Sequence, residues 1–205
     1  MSISIPGRVV VFDYGEVIST APEQHDRDEL LRLAGAVPAA FWPAYGRHRD
    51  ALDRGTLSIR DYWRGIATEL GSEWDDVLID RLWAADFRSW LSVDTGTLAV
   101  LHDLADGGTR LALLSNAGPD FGSFFRFGNL GRLFDAVIVS GELGMIKPEA
   151  GIFEHAMAEL GIEAAQTIFI DNKEVNVRGA EQLGITGHTF TGAAQLRAFL
   201  TDLAR

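Results

Sequence analysis

Cysteine is missing altogether from this 205-residue chain, which removes disulfides, thiolate catalysis and cysteine-based zinc sites together and suits a reducing compartment. Positive charge is also scarce: 18 Lys and Arg stand against 29 Asp and Glu, for a net charge of −11. With no local basic patch, such a surface repels nucleic-acid phosphates and anionic membranes. Long hydrophobic runs are absent as well, since no stretch approaches the ~18 apolar residues of a membrane span. The amino terminus, MSISIPGRVVVFD, carries a short apolar run that ends in an acid and has no basic leader. Together these absences predict a soluble, cytoplasmic protein with neither nucleic acid nor membrane among its partners. The chain also has no internal repeat and no low-complexity tract.

What the chain does have is a recurring order of short apolar runs and amphipathic segments. RVVVFD (8–13), TRLALLSN (109–116), AVIVS (136–140), TIFID (167–171) and GHTF near residue 188 read as buried parallel strands. Helical patterns with clear punctuation lie between them. Leu98, Leu101 and Leu104 are stopped by Gly107 and Gly108, and Pro148 precedes Ile152, Phe153, Ala156 and Leu160, which run up to Gly161. This alternation predicts an α/β fold built on a Rossmann-like, doubly wound parallel sheet. At about 150 residues per domain, the length fits a core with an insertion.

The insertion announces itself by the loss of strand signals. From residue 20 to residue 90 only helical patterns occur, and Trp42, Trp63, Trp74, Trp83 and Trp90 all fall there. The expected boundaries are a core of residues 1–19 and 91–205 and a helical cap of residues 20–90. Ser58 with Asp61, and Ser72 with Asp75, fit the N-cap signature, after which Ile59, Tyr62, Trp63, Ile66 and Leu70 recur at helical spacing. Most of these aromatics read as the cap's own core. A minority reading places one or two of them, with Tyr45, Arg47, His48 or Arg49, against a cleft on the sheet. His102 and His155 read as helix-surface residues, and HDRDE (25–29) as the solvated opening of a helix.

Open parallel sheets bind ligands beyond the carboxyl ends of their strands, so the residues ending each run become the chemical candidates. Asp13 ends the first run, Ser115 and Asn116 the second, Lys147 follows the third, and Asp171 with Asn172 ends the fourth. Each has a plain alternative: Ser115 as a helix cap, Lys147 as a solvated cation, Asp171 as a turn acid. Two carboxylates meeting at one sheet edge repel unless a cation lies between them.

In their order along the chain, FDYGEV, LLSN, the lysine of GMIKPE and FIDNKEVN resemble the four motifs of the haloacid dehalogenase superfamily, and the helical insertion resembles its small α-helical cap. The likeness runs from Val9 to about Gly184 and is nearest to small sugar-phosphate phosphatases and the phosphatase domain of soluble epoxide hydrolase. It implies that Asp13 is the nucleophile of a phosphomonoester hydrolase, forming an aspartyl phosphate that water then cleaves. It implies Mg2+ held by Asp13, the Gly15 carbonyl and the turn at Asp171 and Asn172. Lys147, Ser115 and Asn116 would hold the phosphoryl group of a small phosphorylated metabolite, a sugar phosphate being the first guess. A monomer or a homodimer fits equally.

Two positions depart from that pattern. Gly15 stands where most such phosphatases carry a second aspartate that protonates the leaving oxygen, so the proton must come from Glu16, a cap residue or water. Asn172 stands where the second acid of an Asp-Asp pair is common, which offers the metal an oxygen without charge. Both losses keep two other readings open: a 2-haloacid dehalogenase using Asp13 on carbon without metal, and a catalytically degenerate phospho-ligand-binding protein. A cap of this kind would gate the pocket through hinges near Ser19 to Pro22 and Ser89 to Asp94.

Overall fold

Strand β1 (Val9–Phe12) is buried along its whole length and lies at the centre of a five-stranded parallel sheet. The computed structural model describes residues 2–205. The other strands are β2 (Arg110–Ser115), β3 (Ala136–Val139), β4 (Thr167–Asp171) and β5 (Thr186–Thr189), in the spatial order β3-β2-β1-β4-β5. Alternation of side chains along each strand sorts the apolar residues onto two faces. Val10, Phe12, Leu111, Leu113, Ile168 and Ile170 face one core, shared with Val100, Leu101 and Leu104 of one helix and Leu196 and Leu200 of another. Val9, Val11, Ala112, Leu114 and Phe169 face the second, against Ile152, Phe153 and Ala156. Both faces are covered, which is why the runs are continuously apolar rather than alternating.

Before β2 the chain forms helices α1 (Gln24–Ala34), α2 (Pro38–Arg47), α3 (Arg49–Asp53), α4 (Ile59–Glu69), α5 (Asp76–Ser89) and α6 (Thr95–Asp106). The later helices are α7 (Asp120–Phe127), α8 (Ser140–Leu143), α9 (Ala150–Leu160), α10 (Glu174–Glu181) and α11 (Ala193–Leu203). Among the described residues no helix is long and apolar enough to cross a membrane. Helices α1 to α5 form the insertion, with a core of their own centred on Leu30, Phe41, Tyr62, Trp63, Ile66, Ile79 and Leu82. The Ser58 cap forms as the spacing predicts, its hydroxyl accepting from the Asp61 N–H at 3.1 Å. Ser72 does not cap α5. Gly71 turns the chain with a φ of 63°, and the Ser72 N–H closes back on the Ala67 carbonyl, so the cap position falls to Asp75, which accepts from the Leu78 N–H at 2.8 Å.

The two strands of chain that lead into and out of the insertion run side by side. Ser19 and Val93 form an antiparallel bridge, flanked by hydrogen bonds from Thr20 to Ser92 and from Asp94 to Ile18. On its other side the insertion is latched to the core by the turn after α3. Arg54 makes two hydrogen bonds to Glu149, at 2.8 and 2.6 Å, and the Ser140 hydroxyl donates to the Asp53 carbonyl. Trp83 Nε1 adds a hydrogen bond to Asp120 at 2.8 Å. Gly55 makes the turn possible: its φ is 76°, and a Cβ there would sit 2.1 Å from the Gly141 carbonyl oxygen.

Gly35 has a similar φ of 62° but open space around it, so the pair separates backbone strain from collision. Gly35→Ala should cost about 1–2 kcal/mol from the left-handed conformation alone. Gly55→Ala should cost that plus about 1–3 kcal/mol of overpacking, read by urea unfolding. Equal losses at the two positions would show that the turn is not tightly seated on α8.

Candidate active site

Parallel register carries the strand ends to one level. Phe12 pairs with Leu113 on one side and Ile170 on the other, so Asp13, one residue on, stands level with Leu114 and Asp171. Its N–H bonds to the Ile170 carbonyl at 2.9 Å, holding the start of the loop against β4. Lys147 arrives from the turn after α8 and fills the gap. Its ammonium lies 2.7 Å from Asp13 Oδ1 and 2.8 Å from Asp171 Oδ2, and donates to the Leu114 carbonyl at 2.9 Å. All three donor positions of the ammonium are therefore engaged. Asn116 fixes the lysine's backbone: it donates to the Lys147 carbonyl at 3.0 Å and accepts from the Lys147 N–H at 2.9 Å.

These contacts set the charge of each group. Burial alone would push Lys147 down, but the carboxylates of Asp13 and Asp171 overcome it and hold the ammonium above its ordinary pKa. Burial pushes Asp13 up to about 6, Lys147 pulls against that, and Asp171 adds repulsion. Asp171, fully buried, has both oxygens in use: Oδ1 accepts from the Lys173 N–H at 2.8 Å, and Oδ2 accepts from Lys147 and from Asn176 Nδ2 at 3.0 Å. Asn172 is the member of the pair that reaches the open side. Its Nδ2 donates to Glu16 Oε2 at 2.7 Å, while its Oδ1 is buried without a hydrogen-bond partner.

A cavity of about 220 Å³ opens over this cluster, lined by Asp13, Gly15, Ser115, Asn116, Lys147 and Asn172 on the core side. Tyr14, Trp90, Phe121 and Phe125 make an aromatic wall, and Tyr45, Arg49 and Asp53 close it from the insertion. Both ends of the Asn116 side chain are spent on the Lys147 backbone, so the phosphate role expected of Asn116 rests on its backbone N–H. The Ala117 N–H is likewise taken, by the Ser140 hydroxyl at 3.0 Å, leaving Ser115 as the free hydroxyl of that loop. Of the three basic cap candidates only Arg49 reaches the cavity. Arg47 and His48 both turn to Glu69, at 3.2 and 2.8 Å. Trp63 is core, whereas Trp90 lines the site.

Arg49 belongs to a buried network that single-residue patterns do not reveal. It donates to Asp53 at 3.0 Å, to the Tyr45 hydroxyl at 2.9 Å and to Asp86 at 3.2 Å, and the Tyr45 hydroxyl donates to Asp86 at 2.6 Å. Burial works against the guanidinium, but Tyr45, Asp53 and Asp86 hold its pKa above the ordinary value. The sequence carried no signal that singles out Asp53, an acid four residues after Arg49 and two before Gly55.

The family model of haloacid dehalogenase-like hydrolases matches residues 8–184. The chain belongs to that family. The sesquiterpene phosphatase astK of Aspergillus oryzae is 26% identical over 185 residues, covering 88% of each protein. A HAD family enzyme from Bacteroides thetaiotaomicron shares the fold with a TM-score of 0.75 at 22% identity, over 97% of this chain and 99% of that one. The same enzyme solved with magnesium and inorganic phosphate overlays with a TM-score of 0.67 at 22% identity, over 89% and 93% of the two chains. L-2-haloacid dehalogenase from Xanthobacter autotrophicus overlays with a TM-score of 0.66 at 22% identity, over 88% of this chain and 76% of that one. The HAD fold expected from the four motifs is therefore present, with its helical insertion.

Removing the lysine tests the cluster directly. Lys147→Met leaves two buried carboxylates facing each other, and should lower unfolding free energy at pH 7 by about 3–5 kcal/mol in urea titrations. A loss under about 1 kcal/mol would show that the ammonium does not hold the three strand ends together.

Proposed function

We propose that this HAD hydrolase is a Mg2+-dependent phosphomonoester hydrolase that works through an aspartyl phosphate on Asp13. The observation that carries the reading is the Lys147 ammonium held between Asp13 and Asp171 beside the unpartnered Asn172 oxygen. Lys147 fixes one oxygen of Asp13, leaving the other to attack phosphorus as the bond to the leaving oxygen breaks. The Ser115 hydroxyl and the lysine receive the phosphoryl oxygens. Asp171 acts through Lys147, which it keeps charged and in place.

The oxygen donors present fit a hard divalent cation. Asn172 Oδ1 is buried without a partner, the Gly15 carbonyl accepts no hydrogen bond among the described residues, and Asp13 supplies the charge. No three His, Asp or Glu side chains cluster among the described residues, so backbone and amide oxygens carry the remainder. Bound there, Mg2+ would offset the repulsion between a carboxylate nucleophile and a phosphoryl dianion. Asn172 orients its oxygen toward that place because Glu16 claims its amide hydrogens; the opposite orientation would set oxygen against carboxylate.

The leaving group meets aromatic walls. The first guess of a sugar phosphate leaned on Arg47, His48 and Arg49, two of which pair with Glu69 outside the cavity. Tyr14, Trp90, Phe121 and Phe125 favour instead the monophosphate of an apolar alcohol, a reading that the likeness to a sesquiterpene phosphatase supports. Phosphate release from an aryl phosphate should require Mg2+, stop with EDTA and fall to background in Asp13→Asn. Prenyl and long-chain alkyl monophosphates should exceed hexose phosphates in kcat/KM by at least about tenfold, the scale of a few buried methylenes. Metal-independent halide release from a 2-haloacid would move the chain to the dehalogenases; thermal stabilisation by phosphate without any turnover would make it a binder.

A further inference from the structure

Gly15 leaves phosphoryl transfer without the acid that should protonate the leaving oxygen, and its neighbour on that side is apolar. A Cβ at residue 15 would lie 3.7 Å from Trp90 Cζ3, so that direction faces the indole. Glu16, adjacent in sequence, is exposed at the rim and spends Oε2 on Asn172. Among the acids lining the cavity, a third candidate comes from the opposite wall. Asp53 is the last residue of α3, and its carbonyl is pinned to the core by the Ser140 hydroxyl. Its Oδ1 accepts from Arg49 Nε at 3.0 Å, while Oδ2 accepts no hydrogen bond from the described residues.

We propose that Asp53 is the general acid and base of this active site, delivered by the cap in place of the acid missing at Gly15. This rests on the phosphomonoester reading above. In the first step an Asp13 carboxylate oxygen forms a bond to phosphorus, the bond from phosphorus to the leaving oxygen breaks, and the proton of Asp53 passes to that oxygen to give the free alcohol. In the second, the Asp53 carboxylate takes a proton from water as its oxygen attacks phosphorus. The bond from phosphorus to Asp13 breaks, phosphate departs, and Asp53 is again protonated. One proton moves out and one returns, with no other reactant than water. The carboxyl is suited to both directions: burial pushes it up to about 6, against Arg49 and more weakly Lys173, with Asp86 adding to the rise. Arg49 orients the group as a positioning residue, itself fixed by Tyr45 and Asp86.

The test uses leaving groups of different basicity. A nitrophenolate departs without a proton, whereas an alkoxide does not, and kcat/KM reports the first transfer alone. In Asp53→Asn, which keeps the shape and the bond from Arg49, kcat/KM for an alkyl phosphate should fall about 100-fold to 10,000-fold. For 4-nitrophenyl phosphate it should stay within about tenfold, and because the second step has lost its base, rapid mixing should show a burst of one nitrophenolate per site. Asp53→Glu should recover part of the alkyl activity. Thermal unfolding establishes that each variant is folded; if Asp53→Asn is not, a steep dependence of wild-type kcat/KM on alcohol pKa would by itself overturn the assignment, and a shallow one support it. Equal losses on both substrates, or the selective loss appearing in Glu16→Gln instead, would overturn it. A wild-type protein that hydrolyses neither substrate would refute the phosphomonoester reading rather than the role of Asp53.

Discussion

A buried ammonium holds this site together. Lys147 is 2% exposed, and its three contacts, to Asp13, Asp171 and the Leu114 carbonyl, each come from a different strand end. A buried lysine is tolerable only when paired and fully hydrogen-bonded, and the same condition applies to the two acids. Asn116 and Asn176 exist in this arrangement to meet it, the first by clamping the lysine's backbone and the second by filling Asp171. The three charges sum to −1, which leaves the cluster still repelling a phosphate. A divalent cation at the proposed site would reverse that sign, with uncharged oxygens at Gly15 and Asn172 instead of a third carboxylate.

The core half of the site was legible because buried parallel strands write themselves plainly. RVVVFD, TRLALLSN and TIFID are continuous apolar runs, and the residue ending each must lie at the ligand-binding edge once the strands are parallel and in register. What those rules do not give is side-chain accounting. The sequence does not show that the Asn116 side chain serves the Lys147 backbone, and it offers Asp171 as a metal ligand although both its oxygens accept from Lys173, Lys147 and Asn176.

The cap half was less legible, for a physical reason. Helical periodicity separates buried from exposed faces but not one kind of buried neighbour from another. Trp63 and Trp90 therefore look alike in sequence, although one fills the cap core and the other lines the cavity over Asp13. Arg47, His48 and Arg49 are consecutive, so they point in different directions, and only docking decides which enters the cavity. Ser72 failed as a cap because the αL turn at Gly71 delayed the helix by three residues, an event of backbone geometry that the N-cap signature does not encode.

Dividing the chemistry between two walls changes what closure accomplishes. The core alone holds Asp13, Lys147 and Ser115, the proposed nucleophile and phosphoryl contacts, and Arg49 and Asp53 join them where Gly55 lies against Gly141 and Arg54 grips Glu149. An acid built into the loop after β1 would be in place whether the site were open or shut. One carried by the cap would meet the leaving oxygen only with the cap seated over the cavity, so proton transfer and exclusion of bulk water would coincide. The network of Tyr45, Arg49 and Asp86 is what makes this workable: a carboxyl at the end of a five-residue helix would otherwise swing freely, and its one partner, Arg49, is itself fixed by Tyr45 and Asp86, so the group is oriented before substrate arrives.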